Sequence, residues 1–175
     1  STMACIAEVL GMMLPGGASP PAVTADRVRT ATASGRIAVE VAAEDRRPSQ
    51  VLSRASFLNA LKVIVALGGS TNAVVHLTAI ARRAGIGLTL EDLNEAAEQV
   101  PLLVDCKPSG TGYMEDFHAA GGLPQVLQVL QPHLDLATQS ILGKPLGELL
   151  QNVEPPGSWQ QTIRTLENPV SDDLR

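Results

Sequence analysis

The chain has 175 residues, enough for one domain or for a piece of a larger one. Hydrophobic residues make up 45% but aromatics only 2%; an apolar mass of Ala, Val and Leu favours closely packed helices over an aromatic-rich sandwich. A net charge of −5 with no stripe of Lys and Arg argues against nucleic acid as a partner, and no apolar run approaches the roughly 20 residues of a membrane span.

An amphipathic helix is predicted over 1–14, with Ile6, Val9, Leu10 and Met13 as its stripe and Pro15-Gly16-Gly17 and Pro20-Pro21 as its stop. A second covers 24–44, where Thr24 can cap and Val28, Ala31, Ile37, Val39 and Val41 supply an apolar side. Gly35 costs about 1 kcal/mol against Ala in mid-helix and marks a place for a break. Asp45-Arg46-Arg47-Pro48 reads as a turn, Ser49 as the cap of a short helical turn, and Ser53 as the cap of a helix over 54–67. Phe57, Leu58, Leu61, Ile64 and Val65 face the core from that helix. Helices follow over 71–84, ended by Gly85, and over 90–99, where Thr89 caps and Glu91 and Asp92 suit the dipole. The segment 100–105 is the best strand candidate and runs into a Pro/Ser/Gly loop. Helices over 114–120 and 123–131 are separated by Gly121-Gly122; 138–142 is a second short strand candidate and 145–151 a short helix. Glu154-Pro155-Pro156-Gly157-Ser158 reads as a boundary or surface loop. The fold class is α/β: a helix-dominated portion of an α/β/α domain with one or two short strands, incomplete without flanking segments.

The densest signal is the run Gly68-Gly69-Ser70-Thr71-Asn72 before the apolar pattern Ala73 to Leu77. Two glycines and three small polar residues describe a helix start whose backbone donors are left accessible to an anion or carboxylate. Val74, Val75, Leu77, Thr78, Ile80 and Ala81 are expected to form the buried face behind it. The plain alternative is a tight interhelical turn with an ordinary cap. The three histidines, His76, His118 and His133, are dispersed and give no helix-borne metal spacing. His76 reads as a core or boundary residue, and His118 as part of a local network with Glu115 and Asp116. Those two acids are adjacent and point to different sides of a helix, which gives no paired-carboxylate site. Cys5 and Cys106 lie far apart and read as reduced thiols; with no signal-peptide pattern, the cytoplasm is the expected compartment.

Taken together, several blocks resemble the dihydroxy-acid dehydratase and phosphogluconate dehydratase family, which includes the sugar-acid dehydratases. They are Ser1-Thr2-Met3-Ala4, Leu14-Pro15-Gly16, the run 66–77, Lys107-Pro108-Ser109-Gly110, the run 113–122, Gly143-Lys144-Pro145-Leu146-Gly147-Glu148 and the run 162–169. They occur in the family's order and cover nearly the whole chain. The resemblance implies an interior segment: residues 1–153 as the later part of an N-terminal domain, and 154–175 as a boundary loop leading to a C-terminal barrel-like domain. It implies a hydro-lyase that converts a 2,3-dihydroxy carboxylic acid into a 2-oxo acid with an iron–sulfur cluster and Mg²⁺. The family's third cluster cysteine would fall before Ser1. Its metal-binding acids, modified lysine and serine base also fall outside this chain, so no catalytic residue and no metal ligand is assigned here, and neither Cys5 nor Cys106 is carried over. This chain alone is expected to be inactive.

What remains for this segment is a supporting part. Thr2 and Met3 would stand near the cluster loop, and Gly69, Ser70, Thr71 and Asn72 would aim N–H donors at a substrate carboxylate or at the cluster. The implied ligand is a small hydroxy acid, with a sugar acid favoured over a branched-chain one, and the implied assembly a homodimer or larger. Two readings of other classes stand beside it: a non-catalytic helical module that binds a partner protein, and a small-anion site made by the 69–72 helix start alone. The fragment reading expects a bare apolar face around Met3, Ile6, Val170 and Leu174; the module reading does not.

Overall fold

Helix α4 (Arg54–Ala66) is apolar on almost every side, and this places it at the centre. Phe57, Ala60, Leu61, Val63, Ile64, Val65 and Ala66 are all buried. Ser53 caps it as expected: its Oγ accepts from Ser56 N, while Ser56 Oγ accepts from Ser53 N at 3.0 Å. The computed structural model describes residues 1–171. Around α4 stand α1 (Thr2–Val9), α5 (Asn72–Arg83), α6 (Leu90–Gln99) and α8 (Gly122–Leu130), each packed directly on it. The remaining helices are α2 (Ala25–Ala43), α3 (Pro48–Val51), α7 (Met114–Ala119) and α9 (Leu146–Leu150), with a 3-10 turn Gln131–His133 after α8. Among the described residues, none of these helices is long and apolar enough to cross a membrane.

The first helix stops at Val9 instead of reaching residue 14. Gly11 turns at φ +77°, Gly11 N bonds back to Glu8 O, and a side chain at Gly11 would collide with Gln139 O. The turn lets the 139–141 segment pass, and Ile141 N donates to Gly11 O at 2.7 Å. The buried Glu8 side chain then holds the following loop, accepting from Gly16 N at 2.7 Å and Ala18 N at 2.8 Å.

Two helices depart from their predicted faces. Helix α2 runs through Gly35 without a break and has no buried residue at all. Of its apolar side chains only Ile37 and Val41 turn partly inward, beside Met12, Met13, Leu14 and Ile141. In α5 the buried set shrinks to Ala73, Leu77 and Ala81, while Val75, Thr78 and Ile80 are exposed. The helix meets the body along one narrow seam against α1 and α4, so a single i, i+4, i+8 row suffices. His76 lies on its exposed side, not in the core.

The helix-dominated character is as expected, but among the described residues no sheet forms. The extended stretch 100–106 is almost wholly buried and makes isolated bridges only: Leu102 with Ser171, Val104 with Ile163, and Cys106 with Gly112. The reason lies in its donors. Leu103 N and Val104 N both bond to Ala66 O at the end of α4, so no continuous ladder can run along that edge. On the other edge Asp105 N donates to Thr162 O, and Arg164 N to Leu103 O. The second strand candidate closes as a tight turn, with Ser140 N on Lys144 O and Leu146 N on Thr138 O.

The expected apolar seam is displaced. Ile6 is fully buried under α4, Met3 is half-buried against the core, Val170 is 37% exposed, and Leu174 lies outside the described residues. The largest bare aliphatic side chains on a helix are instead Val39 and Val28 of α2 and Val75 of α5, together with Leu90 at the start of α6.

Candidate functional site

Four of the motif blocks converge on one small cavity. Ser1, Thr2 and Cys5 come from the start of α1, Leu67 and Gly69 from the α4–α5 turn, and Cys106, Lys107 and Pro108 from the loop after the buried extended segment. Met114 and Phe117 of α7 close one side.

The glycine pair is first of all the stop of α4. Gly68 adopts φ +54°, its N–H bonds to Val65 O, and Gly69 N bonds to Ile64 O. These two bonds close the helix end in the pattern of a left-handed cap. The same glycines admit two neighbours. A side chain at Gly69 would meet Thr2 Cγ2 at 2.6 Å, and one at Gly68 would meet Ser109 Oγ at 2.5 Å. Thr2 Oγ1 accepts from Ser70 N at 3.2 Å, and Ser109 Oγ donates to Gly68 O. Of the predicted site residues, Thr2 and Gly69 therefore line the cavity together and Ser70 is tied to them. Thr71 and Asn72 are exposed beyond the turn, and Met3 packs against the core instead of lining the cavity. Thr71 is the N-cap of α5 without a side-chain cap bond; Ser70 Oγ accepts from Asn72 N at 3.3 Å.

The Lys107 loop is shaped by Asp105. Its carboxylate accepts from Thr111 N at 2.6 Å, and Gly110 packs so tightly on it that a side chain there would overlap Asp105 Oδ1. Lys107 Nζ donates to Tyr113 Oη at 2.9 Å and lies 4.1 Å from that ring's centroid. An exposed cation is thus held at the mouth of the cavity. Asp116 accepts from Tyr113 N and caps α7, which gives it a structural task instead of acid–base work.

The two cysteines, remote in sequence, line the same cavity. Burial pushes the Cys5 thiol up to about 12 and raises that of Cys106 as well, so both are held as thiols. Metal ligation needs the thiolate. Two sulfurs also fall short of the three that the resemblance implies for a cluster. Among the described residues no group of three or more His, Cys, Asp or Glu side chains is arranged to hold a metal ion. The described residues do not fit the cluster, and no chemical step is routed through it.

Sequence reasoning missed two features. Glu8 is a buried carboxyl whose burial lifts it from 4.5 to about 7 against the opposing pull of Gly16 N and Ala18 N. Its spacing to the Pro15-Gly16-Gly17-Ala18 loop was the available signal. His118 does not join Glu115 and Asp116: its Nδ1 is 3.1 Å from Ser19 Oγ and its Nε2 3.3 Å from Asp26 Oδ2. Hydrogen bonds from Arg29 and then His118 hold the Asp26 carboxyl below its ordinary value. An ionised carboxylate only accepts, so Nε2 of a neutral His118 carries the proton and Nδ1 accepts from Ser19. Ser19 is buried and pressed against Gly122, which makes this a tie between α2, α7 and the loop.

Residues 1–149 match the dihydroxy-acid/6-phosphogluconate dehydratase N-terminal family. The chain belongs to that family. It is 44% identical over 170 residues to a 6-deoxy-6-sulfo-D-gluconate dehydratase of Pseudomonas putida, covering 97% of this chain and 29% of that protein. It is 43% identical over 175 residues to dihydroxy-acid dehydratase 2 of Corynebacterium efficiens, covering 97% of this chain and 30% of that protein. A dihydroxy-acid dehydratase of Caldanaerobacter subterraneus subsp. tengcongensis is 41% identical over 175 residues, covering 98% and 31%. The chain thus spans less than a third of the length of these relatives, and the family match ends at residue 149, inside α9.

Proposed function

We propose that residues 1–153 form the later part of the N-terminal domain of a hydro-lyase, and that 154–175 lead into a further, barrel-like domain. The reaction is the dehydration of a 2,3-dihydroxy carboxylic acid to a 2-oxo acid. An aldonate-type sugar acid is the favoured substrate, in keeping with the name of the Pseudomonas putida relative. An iron–sulfur cluster and Mg²⁺, held by residues outside this chain, belong to the same reading, as do a cytoplasmic location and a homodimeric or larger assembly. The observation that carries the proposal is the convergence of four family blocks on one cavity: the start of α1, the turn at Gly69, the Lys107 loop and α7.

On this reading the chain binds and orients; it does not perform the elimination. Lys107, braced by Tyr113, attracts the substrate carboxylate to the cavity mouth, while Ser70 N and Asn72 N are already engaged by Thr2 Oγ1 and Ser70 Oγ. Cys5 and Cys106 act as buried apolar wall. A branched-chain 2,3-dihydroxy acid is the second reading, supported by the names of the relatives from Corynebacterium efficiens and Caldanaerobacter subterraneus subsp. tengcongensis.

The experiment is 2-oxo acid formation by the holoenzyme at native length, with an aldonate and a branched-chain 2,3-dihydroxy acid as competing substrates. Preferred turnover of the aldonate is expected. Lys107→Met should raise KM about tenfold or more with a smaller change in kcat, because it removes ground-state attraction for the carboxylate. Turnover of neither acid would overturn the proposal, and preference for the branched acid would replace the favoured substrate with the second.

A further inference from the structure

The loop after the buried extended segment spends its backbone donors on itself. Lys107 N donates to Gly112 O at 2.9 Å, Gly110 N to Cys106 O at 2.8 Å, Thr111 N to Asp105 Oδ1 and Tyr113 N to Asp116 Oδ2, while Pro108 has no N–H to give. An anion at this rim of the cavity must therefore draw its hydrogen bonds chiefly from side chains. Two stand there together, Lys107 and Tyr113.

Chemistry fixes the direction of the bond between them. An ammonium has donors and no lone pair, so Lys107 Nζ gives a proton and Tyr113 Oη accepts it at 2.9 Å. The phenol's own O–H then points away from Nζ, and Lys107 keeps two further N–H groups. Among the described residues no acceptor takes the Tyr113 proton and no carboxylate pairs with Lys107. Asp105 and Asp116 are committed to Thr111 N and to Tyr113 N.

The pair is held in place although both side chains are exposed, Tyr113 at 62%. The bond from Lys107 N to Gly112 O sets the residue before Tyr113 level with the lysine, and Tyr113 N is tied to the start of α7. Nζ also lies 4.1 Å from the ring centroid, so ring and hydroxyl both hold the cation. A hydroxyl that accepts from a cation becomes a stronger donor, because hydrogen bonds in series polarise one another. The pair thus presents one charged and one neutral donor side by side, an arrangement suited to the two oxygens of one carboxylate.

We infer that Tyr113 is a binding residue for the acid: its O–H donates to one carboxylate oxygen while Lys107 donates to the other. A lysine alone offers a point charge on a flexible stem; the second donor fixes how the carboxylate is turned. The inference rests on the carboxylate reading of Lys107 given above and deepens it, changing the phenol from a brace into a direct contact.

The test uses the protein at native length and 3-deoxy-D-gluconate, an acid with no 3-hydroxyl to eliminate, so that calorimetry reads binding without turnover. Tyr113→Phe keeps the ring beside Lys107 and removes only the hydroxyl. Its Kd should rise about tenfold with thermal unfolding unchanged. In a Lys107→Met background the same change should still raise Kd about threefold or more, whereas a phenol that merely braced the lysine would there have no effect. With a dehydratable acid, Tyr113→Phe should raise KM with a smaller change in kcat. Parent-like binding by Tyr113→Phe, no effect of that change in the Lys107→Met background, or a parent that does not bind the probe would overturn the inference. Turnover of neither acid by a parent whose binding still depends on Tyr113 would overturn the dehydratase reading and leave this inference standing.

Discussion

Replacing Glu8 by glutamine probes a buried carboxyl. Burial raises it from 4.5 to about 7, so between those pH values the folded chain keeps a proton that the unfolded chain has released. Where the folded state binds more protons, stability falls as pH rises. At about 1.4 kcal/mol per tenfold in proton affinity, the loss is about 3 kcal/mol, complete once pH passes 7. Glu8→Gln has no proton to lose. Its amide accepts from one of Gly16 N and Ala18 N and sets its own N–H against the other, whereas the hydroxyl oxygen of the protonated carboxyl still accepts. The variant should therefore lie about 1–2 kcal/mol below the parent at pH 5. By pH 8 the balance should swing toward the variant by about 3 kcal/mol. Urea unfolding followed by circular dichroism at pH 5, 6, 7 and 8 measures the difference, and other titrating groups cancel in it. A difference that stays flat across the series would refute the reasoning, because the two backbone donors would then outweigh the cost of desolvating the charge.

Two further outcomes follow from close packing. Gly69→Ala forces a methyl to within 2.6 Å of Thr2 Cγ2 and should cost about 1–3 kcal/mol in thermal or urea unfolding; adding Thr2→Ser, which removes that methyl and keeps the hydroxyl bonded to Ser70 N, should recover more than half of the loss. Asn59→Ala removes a buried amide that donates to Asp135 O and accepts from Asp135 N, both at 2.9 Å, and should cost about 2–3 kcal/mol, read as a lower Tm. A loss under about 0.5 kcal/mol would mean that the 134–138 turn is held by other contacts.

The sequence was most legible where one local rule decides the outcome. Ser53 and Thr89 cap their helices because each stands three residues before a side chain that returns the bond. The pattern of α4 reads correctly because a core helix is apolar on most sides, leaving few ways to misplace it. Reading failed where the decision belongs to a distant segment. The stop after Val9 is set by Gln139 and Ser140, which need the space at Gly11. The stretch 100–106 looks like a strand and is extended, yet Ala66 O claims its donors, a fact no local window contains. The stripe of α5 was drawn too wide because Val75 and Ile80 fit helical spacing whether or not a neighbour covers them. The cavity was half legible: the motif blocks were visible singly, whereas their meeting, with Cys5 and Cys106 on one wall, is a property of the tertiary fold.

The glycine pair shows why a motif can be right and its first explanation incomplete. Read locally, Gly68-Gly69-Ser70-Thr71-Asn72 offers bare donors to an anion. In the folded chain the donors of both glycines are consumed in ending α4, and Ser70 N is taken by Thr2. The need for glycine at 68 and 69 is therefore explained by packing alone: a left-handed turn at one, the approach of Thr2 at the other, and Ser109 folded over the first. The donors of Asn72, Ala73 and Val74 are engaged within the turn as well, so any ligand work in this corner must fall to the exposed side chains of Thr71 and Asn72 and to Lys107. That division is why the functional test above is placed on Lys107 and the stability test on Gly69: a lesion at the lysine should appear in KM with the fold intact, while one at the glycine should appear in unfolding before it appears in turnover.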